Sequence, residues 1–330
     1  MALRMGFTGD VMLGRLVDEH QRTRSVAAIW GDMVDRLRGL DGLFVNLECC
    51  LSTRGEPWRI TYHPFLFRAD PDWAVPALET VGVDWCSLAN NHVLDFGEPA
   101  LLDTLDALAD AGIAFSGAGH DRETAFEPVT VVIGDLTVTV VSFTDNTPEY
   151  AATDTSPGTA YVDIGDPSEA AREPVRDALE KARSRDTDLL VASLHWGPNM
   201  VTEPPEPFRR FAHWLVDEGV DVVHGHSAHV VQGIEVYRGA PILYDTGDFV
   251  DDYAVDAGLR NDRGFLFELT VDANGRPVEL RLVPTEISDF AVHTAAPEAA
   301  AWIRQRMRER SEAFGTEFGS DGDHLVLDLT

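Results

Sequence analysis

The sequence predicts an α/β protein built around a largely parallel β-sheet. Apolar runs of strand length alternate with amphipathic stretches of helical length through much of the chain, and this order is typical of βαβ units. Polar side chains that can bind metals or move protons directly follow several of the apolar runs. A chain of 330 residues with 44% hydrophobic content can bury a large core, either as one large domain or as two small ones.

In the first half of the chain, the sequence predicts three βα units, each a strand followed by a helix, and then a β-hairpin. The helix that starts at residue 98 is predicted to end at Gly112, because glycine is a common helix stop. The apolar stretch 128–145 contains Gly134 and Asp135 at its centre, which predicts a two-stranded antiparallel hairpin. The other predicted strands cover 4–10, 42–48 and 83–92, and the helices cover about 25–38, 73–81 and 98–112.

The second half continues the alternation after a long irregular segment. Residues 146–167 are rich in Thr, Asp, Pro and Gly and show no period, which predicts a surface loop that could lie over a site. Two turn-linked strand pairs are predicted, the second because Asn274 and Gly275 form a turn signal. The predicted helices are 168–184, 204–219 and 297–314, the strands are 188–197 and 220–227, and the strand pairs are 233–249 and 264–284.

The charge balance argues against several classes of partner. Acidic residues number 56 against 26 basic ones, and the formal net charge of −30 repels nucleic-acid backbones. We therefore expect no nucleic-acid partner. This charge also fits a halophilic source, although codon bias explains the preference for arginine over lysine equally well. The start of the chain lacks the apolar core of a signal peptide, and no segment approaches the about 20 apolar residues of a membrane span. We expect a cytoplasmic protein without a membrane span.

The cysteines do not indicate a disulfide framework. The chain has three, and two of them are adjacent, which would strain a bridge between them. We expect Cys49, Cys50 and Cys86 to be reduced and mostly buried as small hydrophobic residues.

Potential metal ligands follow one predicted strand after another. In open α/β sheets, ligands bind beyond the carboxyl ends of the strands, so side chains at these ends are expected to converge. The mixture of carboxylate, amide oxygen and imidazole without thiolate suits an open site for two divalent ions such as Mn, Fe or Zn. The expected ligands are Asp10, Glu48, Asn91, His195, His226 and His229.

Each of these residues also has an ordinary structural interpretation. Asp10 could cap a following helix, Glu48 could be a solvated charge, and His195 could be a hydrogen-bonded core histidine. The metal interpretation rests on the joint occurrence of such residues at five strand ends. The histidines that end no strong strand are assigned to structure or surface, namely His63, His120, His213 and His293.

The order of the motifs resembles the CapA family of poly-γ-glutamate biosynthesis proteins, within the calcineurin-like metallophosphoesterase superfamily. The stretches that carry the resemblance are FTGDVMLGR, FVNLE, LANNHVLDFG, SLHWG and GHSAHVVQGIEVYRGAPILYDTGDFV. The resemblance runs from Met5 to about Pro284. It implies a four-layered α/β/β/α sandwich of two mixed sheets flanked by helices, with a two-metal centre. It also implies a single domain over 1–330, with a core at about 3–285 and a C-terminal helix and tail at 286–330.

The sequence departs from the superfamily pattern at three places. Met12 stands where the superfamily usually has a metal-binding histidine. Asn46 and Glu48 replace the usual aspartate of the second motif, so Glu48 could bridge the two ions or bind one of them. The spacing of His226 and His229 is one residue longer than in the usual Gly-His-x-His motif.

The resemblance also implies roles for individual residues. Asn91 matches the amide ligand, and His92 matches the general acid that protonates the leaving oxygen. Asp95 lies close enough in sequence to orient the ring of His92. Asp248 is a further supporting residue, and Arg15 is an anion clamp if it is not simply solvated. The same alternatives hold for Arg59.

Three functions follow from this resemblance. The first is a metal-dependent hydrolase in which activated water attacks a phosphoester of an anionic small molecule or polymer. The second is an enzyme of poly-γ-glutamate synthesis that uses amide or acyl-phosphate chemistry. The third is a non-catalytic scaffold subunit of a polymer-assembly complex. The sequence assigns no oligomeric state.

Overall fold

A computed structural model describes residues 2–330. The strands, in chain order, are β1 (Leu3–Val11), β2 (Gly42–Leu47), β3 (Cys50–Leu51), β4 (Arg68–Ala69), β5 (Trp85–Ser87), β6 (Ala114–Ser116), β7 (Ala118–Gly119), β8 (Val129–Ile133), β9 (Leu136–Thr144), β10 (Gly158–Thr159), β11 (Leu189–His195), β12 (Val222–His226), β13 (Ile234–Tyr237), β14 (Ala240–Leu243), β15 (Asp248–Val250), β16 (Arg263–Val271), β17 (Pro277–Ser288), β18 (Ala291–Thr294), β19 (Gly319–Asp321) and β20 (His324–Asp328).

The helices occur between these strands and after them. The α-helices are α1 (Arg15–Gln21), α2 (Val34–Arg38), α3 (Pro71–Val81), α4 (Glu98–Asp110), α5 (Arg122–Ala125), α6 (Glu169–Arg183), α7 (Glu206–Asp217) and α8 (Pro297–Ser311). Three short 3₁₀ helices cover Ala28–Met33, Pro148–Tyr150 and Glu312–Phe314. No helix in the described part of the chain has the length and apolar character that crossing a bilayer requires.

Two large mixed sheets form the centre of the molecule. The larger sheet has ten strands in the order β19-β20-β17-β16-β1-β2-β5-β6, with β15 beside β1 and β18 beside β17. The smaller sheet has six strands in the order β13-β14-β12-β11-β9-β8. Parallel pairing joins β1, β2, β5 and β6 in one sheet and β9, β11, β12 and β14 in the other. Antiparallel pairing joins β1, β16, β17, β20 and β19 on one side of the larger sheet, and β13 and β8 form the antiparallel edges of the smaller sheet.

The two sheets pack face to face over a shared apolar core. Phe7, Phe44 and Trp85 of the larger sheet contribute to one buried cluster with Val140 and Val191 of the smaller sheet. The outer faces are covered by helices, because α3 and α4 pack on the larger sheet and α6 and α7 on the smaller one. The expected four-layered α/β/β/α sandwich is confirmed. Burial on both faces explains why the central strands are continuous apolar runs.

Strand register brings the polar ends of β1, β2 and β15 together. Asp10 is paired with Asn46 on β2 and with Asp248 on β15. Close approach of β15 requires glycine at position 9, since a Cβ there would lie 2.1 Å from the carbonyl oxygen of Gly247. In the smaller sheet, His195 is paired with His226. The carboxyl ends of the central strands therefore carry the site.

Several sequence predictions differ from the structure in their details. The surface loop predicted for 146–167 is wrong in part, because Tyr150, Ala160 and Val162 are buried and β10 pairs with β7. Its apolar residues are separated by Pro, Gly and Asp, so no period reveals their burial. The helix predicted for 25–38 is broken at Gly31, where φ is 48°. The tail after α8 also contributes β19 and β20, which no sequence pattern predicts.

The cysteines behave as expected from the sequence. Cys49, Cys50 and Cys86 are free and buried. Burial raises the pKa of all three thiols, which keeps them in the neutral form. They act as small core residues.

Candidate metal centre

Asp10 lies at the centre of the candidate site, fully buried near the end of β1. Asn46 Nδ2 donates to Asp10 Oδ1 at 2.7 Å. His226 Nδ1 lies 3.7 Å from Oδ1, while His229 Nδ1 lies 3.4 Å from Oδ2. Burial opposes ionisation of Asp10, but the contact with His229 and the surrounding imidazoles hold its pKa well below the usual range. The two oxygens of one carboxylate thus face two different groups of side chains.

The first group consists of Asp10, His195 and His226. The Nδ1 atoms of His195 and His226 are 3.0 Å apart, and Ser193 Oγ lies 3.0 Å from His226 Nε2. Burial lowers the pKa of His195 to about 3 and that of His226 well below its usual value. Both rings are therefore neutral near pH 7, which is the form that binds metals.

The second group consists of Asp10, Glu48, His229 and Asp248. His229 Nδ1 lies 2.8 Å from Asp248 Oδ1. Burial disfavours the imidazolium of His229, but Asp248 and Glu48 outweigh burial and raise the pKa of His229 well above its usual value. Burial raises the pKa of Glu48 and of Asp248. This group concentrates three buried carboxylates around one imidazole.

Several buried oxygens at the site lack a hydrogen-bond partner in the described part of the chain. They are Asp10 Oδ2, Glu48 Oε1 and Asp248 Oδ2, and Asn91 Oδ1, in the loop after β5, is a further buried oxygen without a partner among the described residues. A buried carboxylate oxygen without a partner is costly, and a cation compensates that cost directly. Oxygen and imidazole nitrogen are also the donors that Mn, Fe and Zn accept. The residues present therefore fit divalent metal ions.

Two carboxylates are placed to connect the groups. Asp10 belongs to both of them. Glu48 Oε1 also lies 3.8 Å from His195 Nε2, so Glu48 approaches the first group from the second. Its other oxygen, Oε2, accepts a hydrogen bond of 3.0 Å from the hydroxyl of Tyr253. Asp10 is thus the shared carboxylate, and Tyr253 is a supporting residue that sequence reasoning missed.

The side-chain amides of the neighbouring residues Asn90 and Asn91 differ in their hydrogen bonding. Asn90 Nδ2 donates to Asn46 Oδ1 at 3.1 Å and to the carbonyl of Leu47 at 2.8 Å. Asn90 Oδ1 accepts from the backbone N–H of His92. The amide of Asn90 is thus fully engaged, whereas Asn91 keeps a buried oxygen without a partner in residues 2–330. This difference favours Asn91 as the amide ligand.

A separate cluster surrounds Asp95. His92 Nδ1 lies 2.6 Å from Asp95 Oδ2, which also accepts from the backbone N–H of Phe67 at 2.6 Å. The hydroxyl of Tyr150 donates to Asp95 Oδ1 at 3.0 Å, and His63 Nε2 lies 2.9 Å from the same oxygen. Burial lowers the pKa of His92, although Asp95 opposes this effect.

His63 and Tyr150 have no sequence signal that would place them here. Both lie in stretches without a secondary-structure period, and the sequence pattern assigns His63 to structure or surface. In the Asp95 cluster, His63 contacts Asp95, the residue that is hydrogen-bonded to His92.

The remaining predicted residues lie outside the two groups. Met12 is buried, and its sulfur accepts from the N–H of Gly14. His224, in the same histidine-rich stretch as His226, is 2.8 Å from the carbonyl of Thr8 through Nε2. Arg15 forms an ion pair with Asp252 at 3.3 Å. Arg59 is exposed on the surface.

Comparisons with known proteins place this geometry in context. The family model described as bacterial capsule synthesis protein PGA_cap matches residues 4–253. A "Probable polyglutamine synthesis accessory protein" of Mycobacterium tuberculosis is 36% identical over 312 residues, which cover 90% of this chain and 80% of the relative. The "PGA biosynthesis protein CapA" of Bacillus subtilis is 26% identical, with 89% and 73% covered.

The structural similarity to a solved protein concerns the fold alone. The crystal structure of a novel phosphatase of Mycoplasma pneumoniae superposes with a TM-score of 0.54 at 12% identity. The superposition covers 91% of this chain and 97% of the phosphatase. The layered sandwich is therefore shared with this phosphatase.

Proposed function

The chain belongs to the bacterial capsule synthesis protein family PGA_cap, and we propose that it is a metal-dependent hydrolase of the metallophosphoesterase type. The observation that carries the proposal is the set of buried oxygens without partners around Asp10 in the described residues. Three carboxylates and three imidazoles in the two groups converge where the carboxyl ends of strands from both sheets meet the start of β15. Such a site is costly for the protein alone and suits a pair of cations.

We assign the residues to two divalent ions of Mn, Fe or Zn. Asp10 belongs to both groups and would contribute to both ions, and Glu48 lies between the two groups. When bound, two such ions acidify a water nucleophile and neutralise charge that develops on a phosphoester. His195 and His226 would hold one ion, and His229 and Asp248 would hold the other. Asn91 would supply an amide oxygen, because its buried Oδ1 has no partner in the described residues.

The protein residues around the ions have distinct tasks. Asn46 donates to Asp10 Oδ1 and so fixes the rotation of the shared carboxylate. Tyr253 and Ser193 hold Glu48 and His226 in a similar way. Such supporting hydrogen bonds keep ligands in a binding geometry before the metal arrives.

His92 is assigned as the general acid. Its Nδ1 faces Asp95, so the opposite ring nitrogen, Nε2, is left to donate a proton to the leaving oxygen. Burial keeps His92 largely neutral in the free protein, and the negative charge of a bound phosphoester favours the protonated ring. Protonation of the leaving oxygen matters most for alcohols that leave poorly as alkoxides.

The substrate class is an anionic phosphomonoester or phosphodiester. The chain carries a formal net charge of −30, which repels anions at long range. Bound cations reverse the local field at the crevice, so an anionic group is attracted there in spite of the net charge.

The names of the relatives favour a second candidate function. One relative is described as an accessory protein of polymer synthesis and another as a biosynthesis protein. An accessory role would leave the site without turnover. Enzymatic participation in synthesis would use amide or acyl-phosphate chemistry at the same centre.

A metal and substrate screen of the purified protein separates these functions. We expect Mn²⁺, Fe²⁺ or Zn²⁺ to be retained on gel filtration and to support hydrolysis of p-nitrophenyl phosphate or bis-p-nitrophenyl phosphate. His195→Ala should lose metal and turnover, whereas His120→Ala serves as a matched control because His120 is exposed and outside both groups. Absence of retained metal would favour the accessory role. Metal with amide turnover but no phosphoester turnover would favour the synthetic enzyme.

A further inference from the structure

We propose that His63 is a positioning residue that holds Asp95 so that Asp95 can orient the general acid His92. The proposal rests on the proposed function, since it concerns protonation of the leaving group. It starts from the Asp95 cluster, in which a fully buried carboxylate lies between two imidazoles. His63 Nε2 lies 2.9 Å from one oxygen without forming a hydrogen bond, and His92 Nδ1 is hydrogen-bonded to the other at 2.6 Å.

Both oxygens of Asp95 are approached by two groups each. The Oδ2 side contains the backbone N–H of Phe67 at 2.6 Å together with His92. The Oδ1 side contains the hydroxyl of Tyr150 at 3.0 Å together with His63. A carboxylate with donors on both sides has one favoured rotation about its side-chain bonds. That rotation fixes which ring nitrogen of His92 carries the hydrogen bond.

His63 reaches Asp95 from a long irregular segment between β3 and β4. This segment is attached to the His92 loop by the backbone N–H of Trp58, which donates to the carbonyl of Asp95 at 2.8 Å. The ring of Phe67 packs on the ring of His92 with centroids 3.9 Å apart. The side chain of His63 is 11% exposed and its ring is 5.2 Å from that of His92. His63 is therefore held against the cluster, and its neighbour Tyr62 is 90% exposed.

Loss of His63 would leave Oδ1 of Asp95 with Tyr150 alone. Asp95 could then rotate, and His92 would spend less time with Nε2 directed at the leaving oxygen. A group that only fills space would instead affect all substrates equally. Dependence on the leaving group therefore separates positioning of the acid from a general packing role.

The test compares aryl phosphates with poor and good leaving groups in the metal-loaded full chain. In His63→Ala, we expect kcat for phenyl phosphate to fall roughly 10-fold, while kcat for 2,4-dinitrophenyl phosphate falls less than about 2-fold, because the activated phenolate needs little protonation. His63→Gln keeps an N–H donor and should restore part of the loss for phenyl phosphate. Metal content should be unchanged in both variants. Tyr62→Ala is the matched control and should behave like the wild type.

Three outcomes would overturn the proposal. They are an equal loss for both substrates, no loss for either, or a third equivalent of bound metal that disappears in His63→Ala. The last would make His63 a ligand rather than a positioning residue.

Failure of the proposed function has a different signature, because the wild type would then hydrolyse none of the aryl phosphates. In that case, ¹⁵N NMR of the His92 ring still tests the positioning. We expect a change in the hydrogen-bonded nitrogen signal in His63→Ala but not in Tyr62→Ala. Identical His92 signals in the wild type and His63→Ala would overturn the inference.

Discussion

The groups around Asp10 and the cluster around Asp95 both bury carboxylates among imidazoles, yet their hydrogen bonding differs. Both oxygens of Asp95 accept hydrogen bonds within the protein. By contrast, Asp10, Glu48 and Asp248 each have a buried oxygen that accepts none in residues 2–330. The carboxylate of Asp95 is thus satisfied within the protein, although His63 Nε2 beside it forms no hydrogen bond in the part of the chain that the structure describes, whereas the carboxylates of the Asp10 groups keep oxygens free for a cation. The Asp95 cluster is therefore suited to orienting a proton donor, and the Asp10 groups are suited to binding cations.

The largest effect is expected from removing the carboxylate of Asp10, which belongs to both Asp10 groups. Asp10→Ala should lose both metal ions, because Asp10 belongs to both groups. We expect kcat to fall at least about 10⁴-fold, since both Lewis acids would be lost. Elemental analysis and kinetics measure the two effects. Asp154→Ala is the control, because Asp154 is exposed. Retention of two ions in Asp10→Ala would contradict the assignment.

A second set of variants distinguishes the general acid His92 from the assigned metal ligands. His92→Ala should retain its metals and lose about 10²–10⁴-fold in kcat, which is the usual contribution of general acid catalysis. His195→Ala and Asn91→Ala should lower metal content, because we assign both residues as ligands of the first ion. Metal analysis of the three variants in parallel provides the measurement. Equal metal loss in all three would show that His92 is a ligand and that the two regions are not distinct.

Removal of metal should lower the stability of the protein through its effect on the Asp10 groups and not on the Asp95 cluster. Chelation leaves buried carboxylates close together, so we expect a lower Tm for the metal-free protein. Reloading at 100 times the Kd should restore about 2.7 kcal/mol. Thermal unfolding with and without Mn²⁺ measures this difference in the wild type and in His92→Ala. The same metal-dependent rise is expected in both, and its loss in His92→Ala would argue against separate regions.

A smaller effect is expected from Glu48→Gln, which should change metal-free stability and metal binding in opposite directions. Glu48 is fully buried, and burial together with the charge of Asp10 raises its pKa. Neutral Gln at this position removes the cost of burying a charge, so the metal-free Glu48→Gln protein should be more stable by about 1–3 kcal/mol. The same variant should bind metal more weakly. Urea unfolding of the metal-free proteins tests the sign of the change in the free energy of unfolding. A less stable Glu48→Gln variant would mean that Glu48 does not destabilise the metal-free site.

Much of the Asp10 side could be predicted from sequence because its residues end periodic strands. Asp10, Asn46, His195 and His226 each follow an apolar run, and parallel pairing brings such ends to one edge. The position of Asp248 depends instead on the short β15, which reaches β1 only because glycine occupies position 9. A three-residue strand has too short a pattern to predict its partner.

The Asp95 side was less accessible to sequence reasoning. The pairing of His92 with Asp95 follows from their separation of three residues, and it is present in the structure. His63 and Tyr150 come from irregular segments that no periodicity places. Asn90 and Asn91 are chemically identical neighbours, and only their hydrogen bonds distinguish the structural amide from the candidate ligand.

The central claim is that two cations share the carboxylate of Asp10. Electron paramagnetic resonance of the Mn²⁺-loaded wild-type protein tests this claim most directly, because ions that share a carboxylate are magnetically coupled. We expect two Mn²⁺ per chain with the signal of an exchange-coupled pair. A single bound ion, or two ions with only the signal of isolated Mn²⁺, would contradict the account.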